Sequence, residues 1–269
     1  MAKHIATGAG LLAIMTVLAA CSHTHQPSAR PATIAPPRHT FVIVHGAWGG
    51  GWAFREVDRL MTADGNKVFR PTLTGQGERV HLASPNVGLD LHINDIVNTI
   101  LFEDLHDVVL VGHSYGGMVV TGVADRVPDR ISRLVYLDAV LPENGESLDT
   151  AFGNATGTPG LPLKGRVERD GFLIPTWLKP DAPLPHDVPH SVKTFHDPVH
   201  LAHVEALRKI PTVYILTVDK GQPAEKDTFY PFYQRAKARG IPAWIMEGDH
   251  NVQWSHPNEL AKLLEKAAE

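Results

Sequence analysis

The chain has 269 residues and a formal net charge of −4, and 43% of its residues are hydrophobic. This mildly acidic balance gives no reason to expect a nucleic-acid partner, and the single cysteine excludes an internal disulfide. The sequence contains no metal-ligand spacing, no HExxH motif and no phosphate-binding glycine motif, so we expect neither a metal ion nor a cofactor.

The first 21 residues have the pattern of a bacterial export signal. Lys3 gives a positive start, an apolar core too short to span a bilayer comfortably runs over 5–20, and the segment ends Leu18-Ala19-Ala20-Cys21. Small residues before a cysteine match a lipobox, so we expect lipidation of Cys21 and anchoring in the cell envelope, with the outer membrane favoured in a Gram-negative host. Ordinary cleavage near Ala20 is the alternative, and it gives a periplasmic or secreted protein.

Residues 22–39 carry four prolines among small polar residues and show no apolar period, which indicates a tether. The remaining part, about 230 residues, has the size of one domain. Strand-like and helix-like segments alternate through it, and this alternation predicts a parallel sheet covered by helices on both faces. The predicted strands lie near 41–45, 67–70, 108–111, 133–137, 212–218 and 243–247, and the predicted helices near 51–64, 90–104, 116–126, 229–239 and 257–268.

The first predicted strand leads into a glycine-rich loop, His45-Gly46-Ala47-Trp48, followed by three further glycines. Glycines allow the backbone of such a loop to approach a reacting group closely. We predict that the N–H of Ala47 is one of two donors that stabilise an oxyanion, although a flexible turn would also explain the glycines. His45 and Trp48 of the same loop are candidate residues of a substrate pocket.

A G-x-S-x-G motif centred on Ser114 stands between a predicted strand and a predicted helix. Gly112, Gly116 and Gly117 allow strand and helix to pack around a strained turn that presents the serine hydroxyl. A serine hydroxyl alone is a poor nucleophile, so a base is expected nearby. We predict that Ser114 is the nucleophile, rather than an idle residue of a glycine-rich turn, and that the N–H of Tyr115 is the second oxyanion donor.

The stretch 142–208 interrupts the alternation and is rich in proline and glycine. A long insertion over the catalytic edge of a sheet predicts a cap. Phe152 and Trp177 are candidate residues of an apolar substrate pocket, although they would serve equally in a small core of the cap itself. Five histidines between 186 and 203 follow no rigid ligand spacing, so we predict no metal site there.

His250 is the predicted base, because it follows the last predicted strand at the edge where open α/β sheets place functional groups. Two acids compete to orient it. Asp219 follows the strand at 212–218, and Asp138 follows the strand at 133–137. We favour Asp219, because its strand is next to the strand that carries His250, whereas Asp138 would alternatively cap a turn.

These motifs resemble those of the α/β-hydrolase superfamily, in particular the branch of small esterases and hydroxynitrile lyases that includes plant methyl-ester esterases and bacterial EstC-type esterases. The resemblance covers about residues 40–269 and rests on Phe41–Trp48, Val111–Met118, Thr217–Lys220 and Gly248–His250. It implies an α/β-hydrolase fold, with a mostly parallel six-stranded sheet flanked by helices and a cap after the fourth strand. It also implies an acid at Asp219 and oxyanion amides at Ala47 and Tyr115.

The predicted function is hydrolysis of carboxylic esters through an acyl-Ser114 intermediate, with lactones and xenobiotic esters among the substrates considered. The related lyases carry a threonine in the first loop and a lysine after the catalytic histidine. This chain has no threonine over 45–47 and has Asn251 at the second position, which disfavours a lyase. A lyase-like or other non-hydrolytic activity and a ligand-binding protein without turnover are the alternatives. The sequence predicts no oligomeric state.

Overall fold

The computed structural model describes Met1 and residues 36–157, 167–179 and 181–269. It divides into two units, Met1–Pro36 and Pro37–Glu269, and every described helix and strand belongs to the second. The predicted lipobox with Cys21, and the tether up to residue 35, lie outside the described residues. Within the described ranges no helix is both long enough and apolar enough to cross a bilayer.

The second unit is built from alternating strands and helices. In chain order, the described strands are β1 (Thr40–Val44), β2 (Lys67–Phe69), β3 (Val108–His113), β4 (Ile131–Leu137), β5 (Val167–Arg169), β6 (Phe172–Ile174), β7 (His190–Ser191), β8 (Thr212–Val218) and β9 (Ala243–Glu247). The described helices are α1 (Arg55–Ala63), α2 (Leu89–Phe102), α3 (Gly116–Arg126), α4 (Leu148–Thr156), α5 (Lys193–His196), α6 (Val204–Lys209), α7 (Tyr230–Ala238), α8 (Val252–Ser255) and α9 (Pro257–Ala268).

Six of these strands form one parallel sheet in the order β2-β1-β3-β4-β8-β9. The parallel sheet and all six predicted strands are therefore confirmed. Because parallel strands end at the same edge, the loops after β1, β3, β4, β8 and β9 emerge side by side. These loops carry Ala47, Ser114, Asp138, Asp219 and His250, respectively.

Strand β1 shows how the sheet is buried on both faces. Phe41 and Ile43 belong to a core cluster that includes side chains of α1 and α9, whereas Val42 and Val44 belong to a cluster that includes side chains of α2 and α3. All four side chains are fully buried. Burial of such a side chain contributes about 1.5–3 kcal/mol. Packing on both faces thus fixes the strand ends that carry the candidate site.

Between β4 and β8, short elements replace the regular alternation. Strands β5, β6 and β7 pair antiparallel in a small sheet, accompanied by the short helices α4, α5 and α6. This interval contains residues 142–208, the stretch that the sequence predicts to be a cap, and the name cap is kept for it. Pro175 directly follows β6 and Pro189 directly precedes β7, and proline limits strand length because it cannot donate a hydrogen bond to a neighbouring strand.

Candidate active site

Ser114 lies in a sharp turn between β3 and α3. Its φ of +57° places it in the left-handed region. This conformation costs a residue other than glycine on the order of 1–3 kcal/mol, and it persists where surrounding contacts enforce it. Here the Ser114 carbonyl accepts hydrogen bonds from the N–H groups of Gly117 and Val140, each at 3.1 Å. The strained strand–turn–helix predicted from the motif is therefore present.

Close packing explains the glycines that follow the serine. A Cβ atom on Gly116 would lie 2.6 Å from the carbonyl oxygen of Val44, and one on Gly117 would lie 2.0 Å from the carbonyl oxygen of Val140. Both distances are too short for carbon and oxygen in contact, and the clashing atoms belong to the backbone. Only glycine at these two positions allows α3 to begin so close to β1 and to the loop after β4.

Two hydrogen bonds connect Ser114, His250 and Asp138. The Oγ of Ser114 lies 3.0 Å from Nε2 of His250, and Nδ1 of His250 lies 2.6 Å from Oδ2 of Asp138. An ionised carboxylate only accepts hydrogen bonds, so Nδ1 donates its proton to Asp138 and Nε2 accepts the serine hydroxyl. This is the geometry in which a base activates a serine and an acid orients the base.

The geometry corrects the preference for Asp219 as the acid. Asp219 is exposed, and its carbonyl accepts a hydrogen bond from Gln222 N–H at 2.9 Å in a turn after β8. The carboxylate that contacts His250 belongs to Asp138, whose side chain is fully buried. Asp138 directly follows β4, which lies directly beside β3 in the sheet. The strand order, and not the adjacency of β8 and β9, therefore decides which acid reaches the histidine.

The second carboxylate oxygen of Asp138 is also engaged. Thr217 N–H of β8 donates to Oδ1 at 3.1 Å. The φ of Asp138 is +44°, in the left-handed region that aspartate tolerates better than most residues. With one oxygen on a backbone amide and the other on His250, the carboxylate has a single orientation available to it.

Asp227 is another acidic side chain that contributes to the electrostatic field around His250. Burial, followed by the negative charge of Asp138, raises the pKa of Asp227 to about 6. The N–H of Phe229 donates to Asp227 Oδ1 at 2.7 Å, and the Phe229 ring stacks on the His250 ring with centroids 4.8 Å apart. Above its pKa, Asp227 adds a second negative charge, besides that of Asp138, to the surroundings of the triad.

His113, the residue before the nucleophile, has a role that the sequence does not predict. Its ring is buried, and its Nε2 lies 2.8 Å from the backbone carbonyl of His250. Burial lowers the pKa of His113 well below its usual range, so the ring is neutral and Nε2–H donates to that carbonyl. His113 thereby ties the loop that carries His250 to the end of β3. No motif in the sequence reveals this contact.

Each predicted oxyanion N–H is held in place because the carbonyl oxygen of the same peptide group accepts hydrogen bonds. The oxygen of Gly46, which shares a peptide group with Ala47 N–H, lies 2.7 Å from His45 Nδ1. The oxygen of Ser114, which shares a peptide group with Tyr115 N–H, accepts the two amide hydrogen bonds described above. Neither Ala47 N–H nor Tyr115 N–H donates to another residue in the described part of the chain. Both residues line the same cavity as Ser114.

His45 acts on the loop backbone. Its Nε2 accepts a hydrogen bond from Leu73 N–H at 3.1 Å, so Nδ1 carries the proton that it donates to Gly46 O. Burial lowers the pKa of His45 to about 4, and the ring is neutral at pH 7. The structure thus gives this predicted pocket residue a second role as a support for the oxyanion loop.

We expect Gly46→Ala to lower kcat roughly 10- to 100-fold, because misplacing a reacting group by about 1 Å can lower the rate by about 10²-fold. A Cβ atom on Gly46 would lie 2.9 Å from Ser114 Cβ and 3.4 Å from Ser114 Oγ. Gly49→Ala is the matched control in the same loop, since its nearest neighbour would be 3.9 Å away. Steady-state kinetics of both variants test this expectation, and equal effects would contradict it.

A cavity of about 930 Å³ opens onto Ser114. All four predicted pocket residues, His45, Trp48, Phe152 and Trp177, line it. Trp48 and Trp177 meet edge to face with centroids 5.1 Å apart. Phe152 is fully buried and also packs on Phe229, so it belongs to the core as well as to the cavity wall. The described lining residues include neither lysine nor arginine. They include three aspartates, which are Asp138, Asp187 and Asp227.

Comparison with known proteins places this chain in a family. The model of the Alpha/beta hydrolase family matches residues 41–263 of the chain. The chain belongs to the α/β-hydrolase family. The superfamily and the fold that the sequence resemblance implied are therefore confirmed.

Relatives of this α/β hydrolase include esterases from bacteria and plants. It is 39% identical over 242 residues to the carbendazim hydrolyzing esterase of Nocardioides sp. (strain SG-4G), covering 83% of this chain and 97% of that protein. It is 30% identical over 254 residues to the pheophorbidase of Raphanus sativus, covering 84% and 93%. These similarities support ester hydrolysis by an α/β hydrolase, as the sequence predicts.

A solved structure agrees with this α/β hydrolase over most of its length. It is an extracellular α/β-hydrolase from a Paenibacillus species, described as sharing structural and functional homology with tobacco salicylic acid binding protein 2. The two match with a TM-score of 0.64 and 26% sequence identity, over 85% of this chain and 98% of the other.

Three histidines of the cap have separate partners in this α/β hydrolase. In the described ranges, no group of three or more His, Cys, Asp or Glu side chains is placed to hold a metal ion. The pairs are His190 with Trp48, His196 with Asp149, and His203 with Asp125.

Proposed function

We propose that the protein is a serine carboxylesterase in which Ser114, His250 and Asp138 form the catalytic triad. The observation that carries this proposal is the continuous pair of hydrogen bonds from Ser114 Oγ to His250 Nε2, 3.0 Å, and from His250 Nδ1 to Asp138 Oδ2, 2.6 Å. The position of Ser114 in the lining of a largely apolar cavity supports the same assignment.

In the acylation step, Ser114 Oγ attacks the ester carbonyl while its proton passes to His250 Nε2. Asp138 stays ionised and stabilises the imidazolium through the Nδ1–H hydrogen bond. The carbonyl oxygen becomes an oxyanion that accepts hydrogen bonds from Ala47 N–H and Tyr115 N–H. When the tetrahedral intermediate collapses, the alcohol leaves with the proton from Nε2, and the acyl group remains on Ser114.

Deacylation repeats these steps with water. His250 Nε2 takes a proton from the water molecule as its oxygen attacks the acyl-serine carbonyl. Collapse of the second tetrahedral intermediate returns that proton to Ser114 Oγ and releases the carboxylic acid. The negative charges of Asp138 and Asp227 favour the transient imidazolium in both steps.

The cavity favours bulky, uncharged or cationic esters over anionic ones. Its wall carries the indoles of Trp48 and Trp177, which offer apolar and edge-to-face contacts to a ring. Three aspartates, with neither lysine nor arginine among the described lining residues, would repel a substrate with its own carboxylate. Relatives that act on carbendazim or carry the name pheophorbidase support esters of large ring systems, including xenobiotic esters, as substrates.

Hydrolysis of p-nitrophenyl esters from acetate to laurate tests the proposed function. We expect release of p-nitrophenol that Ser114→Ala removes, with a chain-length profile that reports the size of the acyl pocket. A matched pair of aryl esters, with and without a carboxylate on the ring, tests the charge preference. Absence of hydrolysis of these esters and of lactones by folded protein, or release of aldehyde and cyanide from a cyanohydrin, would contradict the proposal.

We also propose that the protein is exported and held in the cell envelope by lipid on Cys21. The lipobox-like sequence Leu18-Ala19-Ala20-Cys21 at the end of a short apolar core supports this location.

Cys21→Ser is expected to move the protein from the membrane fraction to the soluble fraction, because the thiol that receives the lipid is lost. Fractionation of cells expressing both forms, followed by mass analysis of the N-terminus, measures this. Ser22→Ala, one residue further along, is the control and should stay in the membrane fraction. A Cys21→Ser protein that remains membrane-bound would contradict lipid anchoring.

A further inference from the structure

The cap holds Trp48, the residue after the oxyanion donor Ala47, at three atoms. The N–H of Trp48 donates to Nδ1 of His190 at 3.1 Å, and its indole Nε1–H donates to the Leu173 carbonyl at 3.1 Å. The Trp48 carbonyl accepts a hydrogen bond from Val188 N–H at 2.8 Å. Leu173 and His190 are paired residues of β6 and β7, so the small sheet of the cap supplies two of the three contacts.

Trp48 depends on these contacts because its backbone is strained. Its φ is +64°, in the left-handed region where a bulky side chain is unfavourable. Such a conformation persists only where the surroundings enforce it. The peptide group between Ala47 and Trp48 lies next to the one that carries Ala47 N–H. Relaxation at Trp48 would therefore turn Ala47 and move its N–H away from the oxyanion.

His190 is a polar side chain buried among aromatic rings. It is fully buried, and its ring lies against the rings of Trp48, Tyr115 and Phe195, with centroids between 5.1 and 6.1 Å apart. Because Nδ1 accepts from Trp48, the ring proton is on Nε2, and this nitrogen has no hydrogen-bond partner within the described part of the chain.

An apolar side chain would fill this aromatic enclosure without burying an unpaired N–H, which costs free energy. What histidine adds is the acceptor at Nδ1. Burial also lowers the pKa of His190 well below its usual range, so Nδ1 stays unprotonated and able to accept at neutral pH.

We propose that His190 is a positioning residue for the oxyanion site: by accepting the N–H of Trp48, it fixes the loop that presents Ala47 N–H to the substrate. The cap then contributes to stabilisation of the transition state as well as enclosing the substrate. This inference rests on the proposed esterase function, and it assigns His190 no direct contact with the reacting atoms.

Comparison of His190→Leu with His190→Asn in the full-length protein tests the proposal. The two replacements share one branched skeleton, but asparagine places an oxygen near the position of Nδ1 and leucine places a methyl group there. We expect His190→Leu to lower kcat roughly 10-fold or more with KM nearly unchanged. Complete removal of an oxyanion donor lowers kcat by about 10²–10³-fold, and displacement of the donor should cause part of that decrease. His190→Asn should recover most of the activity.

A second readout separates positioning from general packing. The Ki of a trifluoromethyl ketone, whose adduct with Ser114 carries an oxyanion, should rise in His190→Leu by the same factor by which kcat/KM falls. Thermal unfolding checks that each variant is folded, and His190→Ala replaces His190→Leu if leucine prevents folding. Equal loss in the leucine and asparagine variants, a change confined to KM, or unchanged kinetics would overturn the inference. Absence of hydrolysis by the wild-type protein would instead contradict the proposed function.

Discussion

Asp138→Asn is expected to lower kcat on the order of 10³–10⁴-fold, as replacement of a triad acid by its amide does elsewhere. Asp138 receives the Nδ1–H hydrogen bond of His250 at 2.6 Å and the Thr217 amide at 3.1 Å. Because Thr217 N–H holds Oδ1, the amide that replaces Oδ2 faces His250 and presents an N–H donor. The imidazole then has to place its proton on Nε2, where it can no longer accept the proton of Ser114.

Asp219→Asn is the matched control, because it makes the same chemical change at the other acid that follows a sheet strand. Asp219 is exposed and begins a turn, so we expect its amide to change kcat by no more than about twofold. Steady-state kinetics on one ester, with thermal unfolding to confirm folding, compare the two variants. A larger loss in Asp219→Asn than in Asp138→Asn would restore Asp219 as the acid.

Ser114→Ala is expected to have the largest effect, a loss of about 10⁶ in kcat, because removal of the nucleophile leaves only the oxyanion donors and binding. Folding should be retained, since the substitution removes one oxygen atom and keeps the Cβ atom. Alanine in the left-handed conformation is somewhat more strained than serine, so a small decrease in the midpoint of thermal unfolding is expected.

The control for this variant is labelling by a fluorophosphonate, which reports the nucleophile independently of ester choice. Wild-type protein should be labelled and Ser114→Ala should not. The Asp138→Asn protein should be labelled slowly, because its serine is present but poorly activated. Near-normal ester hydrolysis by Ser114→Ala would remove Ser114 from the mechanism.

The sheet and the nucleophile turn are predictable from the sequence because they depend on local patterns. Apolar runs alternate with amphipathic segments, and this alone predicts the parallel sheet and the edge at which its loops meet. The turn at Ser114 is predictable because only glycine at positions 116 and 117 avoids a clash with the backbone of Val44 and Val140. For the same reason the Ala47 loop is identifiable from its glycines.

The triad acid is not predictable from local patterns, because the choice between Asp138 and Asp219 depends on strand order and on the backbone conformation of Asp138. Asp138 and Asp219 both follow buried strands, and no sequence pattern predicts that β4 lies between β3 and β8. The roles of His113 and His190 are equally inaccessible, since each acts through one ring nitrogen on the backbone of a distant segment. The chain contains 16 histidines, and residue type alone does not distinguish these two.

The proposed mechanism requires that Ser114, activated by His250 and Asp138, forms a covalent acyl intermediate. Rapid mixing with p-nitrophenyl acetate, acid quenching within the first turnover and mass spectrometry of proteolytic peptides test it most directly. We predict one acetyl group on the peptide that contains Ser114, at a lower level in Asp138→Asn at the same quench time. Hydrolysis at the normal rate with the acetyl group on another residue would contradict this mechanism. A burst of p-nitrophenol with no acetylated residue would also contradict it.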